Sequence, residues 1–278
     1  MHQLYKSILH RSELVLGPEA MARVTGARVA VFGVGGVGSW CAEALARTGI
    51  RAITIVDSDI ICPTNINRQS QATALNLGKS KVEEMRDRLL AINPDANITA
   101  RHIAYGESTS GEFDLASFDY VIDAIDSLTN KILLLENCLA AGVTVYSSMG
   151  AGARSDASKI RTELITNTKN CPLARRVRKM LRDRTLTTDI VCVYSDELPV
   201  PPAVETMCGS GECACVHDRA SFCETNDAGA VDWCGMKKQV NGALVHITAI
   251  FGLMLAGLVI ADAGRTEQNA VCPTRSPD

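Results

Sequence analysis

The sequence feature that most constrains the fold is a glycine-rich turn between an apolar run and a helical segment. Residues 33–38 read GVGGVG and fit G-x-G-x-x-G; they follow a strand predicted at 28–32 and precede a helix predicted at 39–48. Glycines here let the backbone approach phosphates at a helix N-terminus, where N–H groups and the helix dipole face anions. The motif therefore predicts a nucleotide-binding α/β fold. The candidate phosphate-binding glycines are Gly33, Gly35 and Gly36.

Apolar runs and helical segments alternate along the rest of the first 150 residues. A regular alternation of strands and helices is typical of a parallel, doubly wound sheet. We therefore expect an α/β fold of the Rossmann-like type, with a mostly parallel sheet and with helical and loop elaborations in the C-terminal half. The further predicted strands are 52–56, 98–103, 120–125 and 143–147, and the further predicted helices are 79–92 and 130–141.

Composition and charge exclude several classes of protein. Hydrophobic residues make up 46% of the 278 positions, too many for a disordered or fibrous chain. The 28 Lys and Arg against 31 Asp and Glu give a formal charge of −3, which excludes a globally basic nucleic-acid binder but not a local basic patch. The first residues lack the apolar core of a signal peptide, so we expect a cytoplasmic location. In that reducing compartment the 11 cysteines are expected to be thiols or metal ligands.

Charged residues beyond the second strand extend the glycine motif. Asp57, 19 residues after Gly38, is placed to bond a ribose hydroxyl. On the glycine motif and Asp57 alone, the default interpretation is an NAD-dependent oxidoreductase. Arg68 and Lys81 follow, and two cations beyond a ribose carboxylate suit the phosphates of a nucleoside triphosphate during nucleotidyl transfer. The alternatives are that Asp57 caps a turn and that Arg68 and Lys81 are solvated surface charges.

Two carboxylates end the strand predicted at 120–125. Asp123 and Asp126 fall at the carboxyl edge of the sheet, where open α/β folds bind their ligands. A carboxylate there can hold Mg²⁺ against the nucleotide phosphates. Asp123 is the preferred magnesium ligand, because Asp126 could instead cap a helix that begins near Ser127.

Three stretches together carry a resemblance to a known family. They are GVGGVGSWCAEALARTG at 33–49, IVDSDIICPTNINRQ at 55–69 and VIDAIDS at 121–127. The set resembles the ubiquitin-activating-enzyme-like superfamily of adenylating proteins, the ThiF/MoeB type. Within it, the chain looks closest to the tRNA threonylcarbamoyladenosine dehydratases, over about residues 10–262. That resemblance implies that ATP activates the carboxylate of the threonylcarbamoyl group on an adenosine beside the tRNA anticodon, which then closes to a cyclic product with net loss of water.

The resemblance also implies a domain organisation and roles for individual residues. An adenylation domain is expected over 27–262, after a lead-in helix at 1–26 and before a disordered tail at 263–278. A homodimer is implied, in which Arg11 of one subunit reaches the ATP of the other. The nucleotide positions implied by the resemblance are Gly35, Gly36, Asp57, Asn67, Arg68, Lys81 and Asp123, of which Arg68, Lys81 and Asp123 are also assigned to catalysis. Gly33 and Asp59 are further candidate ATP-binding residues.

A basic amphipathic helix is predicted at 172–184. Its apolar residues recur at helical spacing, and its cations lie mostly on the opposite face. On a net-acidic protein such a face is a candidate surface for tRNA phosphates, and the alternative is an ordinary solvated face. The candidate RNA-binding residues are Arg175, Arg176, Arg178, Lys179 and Arg182.

Cysteines crowd a predicted loop at 199–235. Four of them could hold zinc or an iron–sulfur cluster, but their spacing lacks the paired C-x-x-C knuckles that indicate such sites, and redox-sensitive thiols are the alternative. A fifth, Cys234, is a candidate thioester nucleophile. The candidate metal ligands are Cys208, Cys213, Cys215 and Cys223.

An apolar segment at 240–262 is about long enough for a membrane span. It includes polar residues and lacks basic or aromatic anchors on its C-terminal side. A buried core helix is therefore favoured, with weak membrane association as the alternative.

Two other functions stay open from the sequence. The first is adenylation of the C-terminus of a ubiquitin-like sulfur carrier protein, within the same superfamily. The second is a non-catalytic nucleotide-binding adaptor that docks a cysteine desulfurase or an RNA; a sulfur-relay partner is also left open. A monovalent cation accompanying the dimer is also left open.

Overall fold

Seven short strands in the described residues make up one sheet. The structure, a computed structural model, describes residues 3–204 and 241–265. The strands are β1 (Arg28–Phe32), β2 (Ala52–Val56), β3 (Asn97–Arg101), β4 (Tyr120–Asp123), β5 (Thr144–Ser148), β6 (Ile160–Leu164) and β7 (Val191–Ser195). Their order across the sheet is β3-β2-β1-β4-β5-β7-β6.

The centre of the sheet is a point where the winding reverses. β1 pairs in parallel with β2 on one side and with β4 on the other. Phe32, the last residue of β1, is aligned with Val56 of β2 and with Asp123 of β4. Such a reversal leaves a crevice at the carboxyl ends of the two central strands, where open α/β sheets bind ligands. The predicted Rossmann-like, mostly parallel sheet is confirmed.

One edge of the sheet is antiparallel, which the sequence pattern does not predict. β6 pairs antiparallel with β7, with Ile160 aligned to Ser195 and Leu164 to Val191. β6 reads IRTEL and buries only its first residue fully, so it lacks the continuous apolar run that marks a buried parallel strand. Its weak signal follows from its place at the edge.

Helices cover both faces of the sheet. In the described part of the chain they are α1 (Gln3–Leu16), α2 (Pro18–Gly26), α3 (Gly38–Thr48), α4 (Lys81–Ile92), α5 (Leu128–Ala141), α6 (Pro172–Asp183) and α7 (Val245–Gly264). One apolar core joins the sheet to α2, α3, α4 and α7 and includes Val31 and Leu45. The other joins it to α5 and α6 and includes Phe32 and Leu135. The protein is therefore a three-layer α/β/α structure.

The lead-in segment consists of two helices, where a single one is predicted over 1–26. Gly17 separates α1 from α2 and has a φ of 79°, in the left-handed region that favours glycine. Pro18 then occupies the first position of α2, where its missing N–H costs no helical hydrogen bond. The Gly-Pro pair is the local cause of the break.

The predicted apolar helix is α7, shifted toward the C-terminus. It begins at Val245 and not at 240, because the segment before it is held in an extended form by two contacts. The Gly242 carbonyl oxygen accepts a hydrogen bond from Ala153 N, and the Ala243 carbonyl oxygen accepts one from Asn67. Gly264 still belongs to α7, so the tail predicted at 263–278 does not begin at 263; its residues 266–278 lie outside the described ranges.

α7 packs against the N-terminal turn of α3. A Cβ at Gly252 would lie 2.3 Å from the Val37 carbonyl oxygen and 2.8 Å from Cys41 N, so this close approach requires glycine. Among the described helices, α7 alone is long and apolar enough to cross a membrane. One side of α7 faces the protein core. The core-helix interpretation and the weak membrane association both stay predictions. The buried residues of α7 are Ile247, Thr248, Phe251, Gly252, Leu255, Ala256 and Val259.

Candidate nucleotide-binding site

The glycine turn joins β1 to α3 at the crevice of the sheet. Gly33 has a φ of 88°, and a Cβ there would lie 2.6 Å from the Ala124 carbonyl oxygen, so only glycine fits. A Cβ at Gly38 would lie 1.8 Å from the Gly33 carbonyl oxygen. The N-cap residue of α3 is Val37, whose side chain makes no capping hydrogen bond. The positive end of α3 is thus left without a side-chain cap, an arrangement that suits a phosphate group.

Asp57 closes this turn from the end of β2. Its carboxylate accepts hydrogen bonds from Val34 N at 2.7 Å and from Asp59 N at 2.9 Å. Burial raises the pKa of Asp57, and the positive charge of Lys81 acts against this rise. These contacts agree with the turn-capping interpretation, and a bond from Asp57 to a ribose stays a prediction.

Lys81 begins α4, and its side chain meets the loop after β2. Its Nζ lies 2.6 Å from Asp59 Oδ2, and the residue is 5% exposed. Burial alone lowers the pKa of Lys81, but the carboxylates of Asp57 and Asp59 outweigh it and raise the pKa overall. A charged ammonium is therefore held beside the residue that closes the glycine turn. The interpretation of Lys81 as a solvated surface charge is wrong.

Asn67 and Arg68 lie in the loop between β2 and α4. The half-buried Arg68 side chain passes beside the glycine turn, since a Cβ at Gly36 would lie 3.3 Å from Arg68 Cγ. Its guanidinium donates to the Thr64 carbonyl oxygen and to Asn67 Oδ1. Asn67 Nδ2 in turn donates to the Ala243 carbonyl oxygen at 3.1 Å. The structure therefore brings Arg68 to the glycine turn, and Asn67 links Arg68 to the segment before α7.

Asp123 is buried at the end of β4 and paired within the protein. Its carboxylate lies 2.6 Å from Lys131 Nζ, and it accepts hydrogen bonds from Ser147 Oγ at 2.6 Å and from Ile125 N at 3.1 Å. The side chains of Asp123 and Lys131 are both 0% exposed. A magnesium ion on Asp123 would have to displace the lysine. The structure therefore does not support the prediction that Asp123 holds magnesium.

Asp126 is the carboxylate of this strand end that reaches solvent. Its negative charge contributes to the raised pKa of Lys81, so Asp126 lies in the neighbourhood of that lysine. The N-cap residue of α5 is Ser127, so the interpretation of Asp126 as the helix cap is wrong. Asp126, more than Asp123, has the exposure that a ligand of a phosphate-bound cation needs.

Comparison with known proteins agrees with this geometry. The sequence matches the ThiF family over residues 9–274. The chain belongs to the ThiF family. Among its relatives, the tRNA threonylcarbamoyladenosine dehydratase of Bacillus subtilis is 40% identical over 190 residues, which cover 68% of this chain and 75% of the relative. The Escherichia coli enzyme of the same name is 36% identical over 200 residues, which cover 69% of this chain and 75% of the relative.

The fold of this ThiF-family protein is also similar to a solved structure. Escherichia coli tRNA N6-threonylcarbamoyladenosine dehydratase in complex with ATP superposes with a TM-score of 0.77 at 28% sequence identity. The match covers 94% of this chain and 96% of the other. The relative thus combines the same architecture with bound ATP.

Three residues of the ThiF-family site escape sequence analysis. Trp40 Nε1 donates to the Arg68 carbonyl oxygen at 2.9 Å, and Gln71 Nε2 donates to the Val34 carbonyl oxygen at 2.8 Å. The third is Lys131, the partner of the buried aspartate. Lys131 precedes an apolar run in α5, and a lysine in such a position could have been predicted from the sequence to form a buried ion pair. The tryptophan and the glutamine give no such signal, because their partners are distant in sequence.

α6 confirms the predicted basic helix and corrects one of its candidate RNA ligands. Arg178 Nη1 donates to the Ile165 carbonyl oxygen at 2.8 Å and to Thr168 Oγ1 at 2.7 Å. Arg178 therefore stabilises the loop between β6 and α6, and its guanidinium is engaged within the protein instead of being available to an RNA phosphate. The remaining candidates are exposed on α6, namely Arg175, Arg176, Lys179 and Arg182.

The other predicted sites are not tested by this structure. Arg11 is exposed on α1, and its role toward the ATP of a second subunit stays a prediction. Within 3–204 and 241–265, no group of three or more His, Cys, Asp or Glu could hold a metal ion. The predicted cysteine sites lie outside those ranges, namely Cys208, Cys213, Cys215, Cys223 and Cys234.

Proposed function

We propose that this ThiF-family protein is an ATP-dependent tRNA threonylcarbamoyladenosine dehydratase. The observation that carries the proposal is the pair of cations, Arg68 and Lys81, beside a glycine turn at the crevice of the sheet. A dinucleotide oxidoreductase has no need of such cations, whereas a nucleoside triphosphate is neutralised by them. The dehydratase relatives at 36% and 40% identity indicate the substrate.

The proposed reaction has two steps on one carboxylate. The carboxylate of the threonylcarbamoyl group attacks the α-phosphorus of ATP, the bond to the leaving pyrophosphate breaks, and an acyl-adenylate forms. A nucleophilic atom of the same substituent then attacks the acyl carbon, gives up its proton to solvent and expels AMP. The nucleoside has then lost one water. Because the attacking group belongs to the substrate, positioning and charge stabilisation are the main tasks of the enzyme.

The residues of the crevice divide these tasks. Arg68 and Lys81 neutralise charge that develops on the phosphates, and the N-terminus of α3 supplies further positive potential. Asp57 keeps the turn in shape through its bond from Val34 N. Asp59 holds the ammonium of Lys81 at 2.6 Å.

Magnesium dependence is part of this proposal. The exposed carboxylate of Asp126 offers the oxygen ligands that Mg²⁺ prefers. When bound, the ion would neutralise phosphate charge. Asp123 contributes indirectly, since it accepts a hydrogen bond from Ile125 N and so fixes the loop that carries Asp126.

The RNA surface, the oligomeric state and the location complete the proposal. The exposed cations of α6 are proposed to contact tRNA phosphates, because a basic face on a protein of net charge −3 favours a polyanion locally. A cytoplasmic homodimer with Arg11 reaching across to the partner's ATP is proposed from family resemblance.

Nucleoside mass spectrometry tests the proposal. The protein is incubated with Mg²⁺, ATP and tRNA that carries threonylcarbamoyladenosine, and the digested nucleosides are analysed. We expect loss of one water from the modified nucleoside, only when ATP is present. No mass change despite ATP binding would contradict the proposal. ATP–pyrophosphate exchange that appears only with an added ubiquitin-like sulfur carrier would then favour the carrier-activating function.

A further inference from the structure

The loop after β5 carries a buried arginine that has no acidic partner among the described residues. Arg154 is 4% exposed, and its Nε has no hydrogen-bond acceptor. Nη1 contacts the Ala153 carbonyl oxygen at 3.3 Å, and Nη2 contacts the Asn170 carbonyl oxygen at 3.5 Å. In the described part of the chain, no carboxylate lies within 4.0 Å of this guanidinium. Since a buried charge is costly unless it is paired, the position is unfavourable for a purely structural arginine.

The carboxylate of Glu197 does not fill this role. Its oxygens accept hydrogen bonds from Ser155 N, Ser155 Oγ and Asp156 N, at 3.0 to 3.1 Å. The positive charge of Arg154 helps to lower the pKa of Glu197, but the guanidinium and the carboxylate lie farther apart than the 4.0 Å of an ion pair. Glu197 is therefore occupied by Ser155 and Asp156 of the loop after β5, and within the described residues the Arg154 guanidinium keeps donors for another acceptor.

The Arg154 guanidinium lies beside the N-terminus of α6. Asn170, whose carbonyl oxygen Arg154 contacts, directly precedes the α6 N-cap residue Cys171. No side chain caps this helix of 12 residues. The loop after β5 lies against the first turn, because a Cβ at Gly150 would be 3.8 Å from Cys171 Sγ and 3.8 Å from Leu173 Cβ. A buried cation and an uncapped positive helix end thus converge on one place, and both favour an oxyanion.

This place is connected to the nucleotide-binding crevice. Ala153 N donates to the Gly242 carbonyl oxygen at 2.8 Å, and Asn67 Nδ2 donates to the neighbouring carbonyl oxygen of Ala243. Residues 241–244, which precede α7, therefore contact both the loop after β5 that carries Arg154 and the loop between β2 and α4 that carries Asn67. β5 is also the direct neighbour of β4 in the sheet, so the two places share the carboxyl edge. An RNA that reaches the crevice along α6 would pass Arg154.

We propose that Arg154 and the first turn of α6 form an oxyanion subsite for the RNA substrate. The proposal rests on the proposed function. The bound group is a monoanionic oxyanion, and the substrate offers two sources of it. One is a backbone phosphate of the anticodon loop, and the other is the threonylcarbamoyl carboxylate before its activation. In either case the planar guanidinium supplies paired N–H donors.

The test is RNA binding by the full-length protein and two variants. A fluorescent anticodon stem-loop carrying threonylcarbamoyladenosine is titrated without ATP into wild type, Arg154→Gln and Arg161→Gln. Arg161 is exposed on β6 and serves as the matched control. We expect Arg154→Gln to weaken binding about 10-fold or more, because a charge-assisted hydrogen bond is lost, and the control to bind as wild type. RNA-free Arg154→Gln should melt at or above the wild-type temperature, because it removes a buried unpaired charge.

A second stem-loop with plain adenosine separates the two sources. An equal loss of affinity for both stem-loops identifies the phosphate, and a loss confined to the modified stem-loop identifies the carboxylate. Either result supports the subsite. Wild-type affinity of Arg154→Gln for both stem-loops overturns it. If this variant does not fold, Arg154→Lys, which keeps the charge but loses the planar fork, is judged by the same criterion.

Turnover separates this proposal from the proposed function. If wild type dehydrates the stem-loop and Arg154→Gln binds it with wild-type affinity, the subsite is refuted and the proposed function is retained. If Arg154→Gln binds RNA more weakly than wild type but wild type dehydrates nothing in the presence of ATP, the proposed function is refuted and the subsite is retained.

Discussion

Lys131 Nζ lies 2.6 Å from Asp123 Oδ2, and neither side chain reaches solvent. The lysine also donates to the Ser148 carbonyl oxygen at 3.0 Å, so one ammonium joins α5 to the ends of β4 and β5. This edge of the sheet carries the candidate nucleotide site. The pair therefore links the stability of the fold to the geometry of the crevice.

Lys131→Met should destabilise the protein strongly. It leaves the Asp123 carboxylate buried and unpaired, which typically costs about 3–5 kcal/mol. Chemical denaturation measures the free energy of unfolding. Arg28→Ala is the control, because it breaks an ion pair whose side chains are 53% and 42% exposed and should cost less than about 1 kcal/mol. Equal losses in the two variants would contradict the assignment of Lys131 as a buried structural cation.

Arg68→Ala should abolish adenylation while the fold is retained. The substitution removes a guanidinium proposed to neutralise the phosphates, and we expect a loss of about 100-fold or more in turnover. Nucleoside mass spectrometry gives the rate, and circular dichroism checks the fold. The exposed Arg161→Ala should leave the rate unchanged. Wild-type turnover in Arg68→Ala would remove Arg68 from the proposed catalytic group.

Charge reversal on α6 should weaken RNA binding in a salt-dependent way. Arg175→Glu with Lys179→Glu changes two exposed cations, and the slope of log affinity against log salt should become shallower by about 0.7 per lost single-strand phosphate contact. Arg86→Glu on α4 together with Arg161→Glu on β6 changes the net charge by the same amount and is the control. An unchanged slope in the α6 variant would refute the RNA surface.

Arg178→Met should act on stability instead. Its guanidinium bonds the Ile165 carbonyl oxygen and Thr168, so its loss should lower the melting temperature by a few degrees, as expected for about 1 kcal/mol. Thermal unfolding measures this change. A variant that melts as wild type but binds RNA weakly would restore Arg178 to the RNA-binding set.

Cys138 and Cys192 should resist alkylation in the folded protein. Burial raises the pKa of each thiol to about 12, so at pH 8 only on the order of 10⁻⁴ of either is the reactive thiolate, and the thiolate becomes the major form only above about pH 12. Peptide mass spectrometry after iodoacetamide treatment reports each cysteine separately. The half-buried Cys62 serves as the internal reference and should react first. Faster labelling of either buried thiol would show that its helix or strand opens.

Local patterns predict much of the fold. β2 has the predicted bounds because its alternating apolar sequence is itself the signal, and the glycine turn is predicted because only glycine tolerates the approach of Ala124 to Gly33. The bounds of α7 are less predictable, because its start depends on contacts from Ala153 and Asn67, far away in sequence.

The site is predicted by residue type more reliably than by residue role. The sequence pattern suggests magnesium for Asp123. The structure does not support that role, because the folded chain places Lys131 beside the carboxylate. The burial of Arg154 without an acidic partner in the described part of the chain is likewise not predictable, because a loop sequence does not indicate which of its side chains are buried.

Because Gly252 lies so close to the start of α3, α7 directly supports the glycine turn that precedes α3. Val37 and Cys41, at the start of α3, rest directly on this helix. A bilayer that took up α7 would remove that support, and the turn would lose the shape that binds phosphate. Uptake of α7 by lipid and retention of ATP are thus mutually exclusive states of one chain. Any population of this protein that inserts α7 into a membrane would be a population without a working nucleotide site.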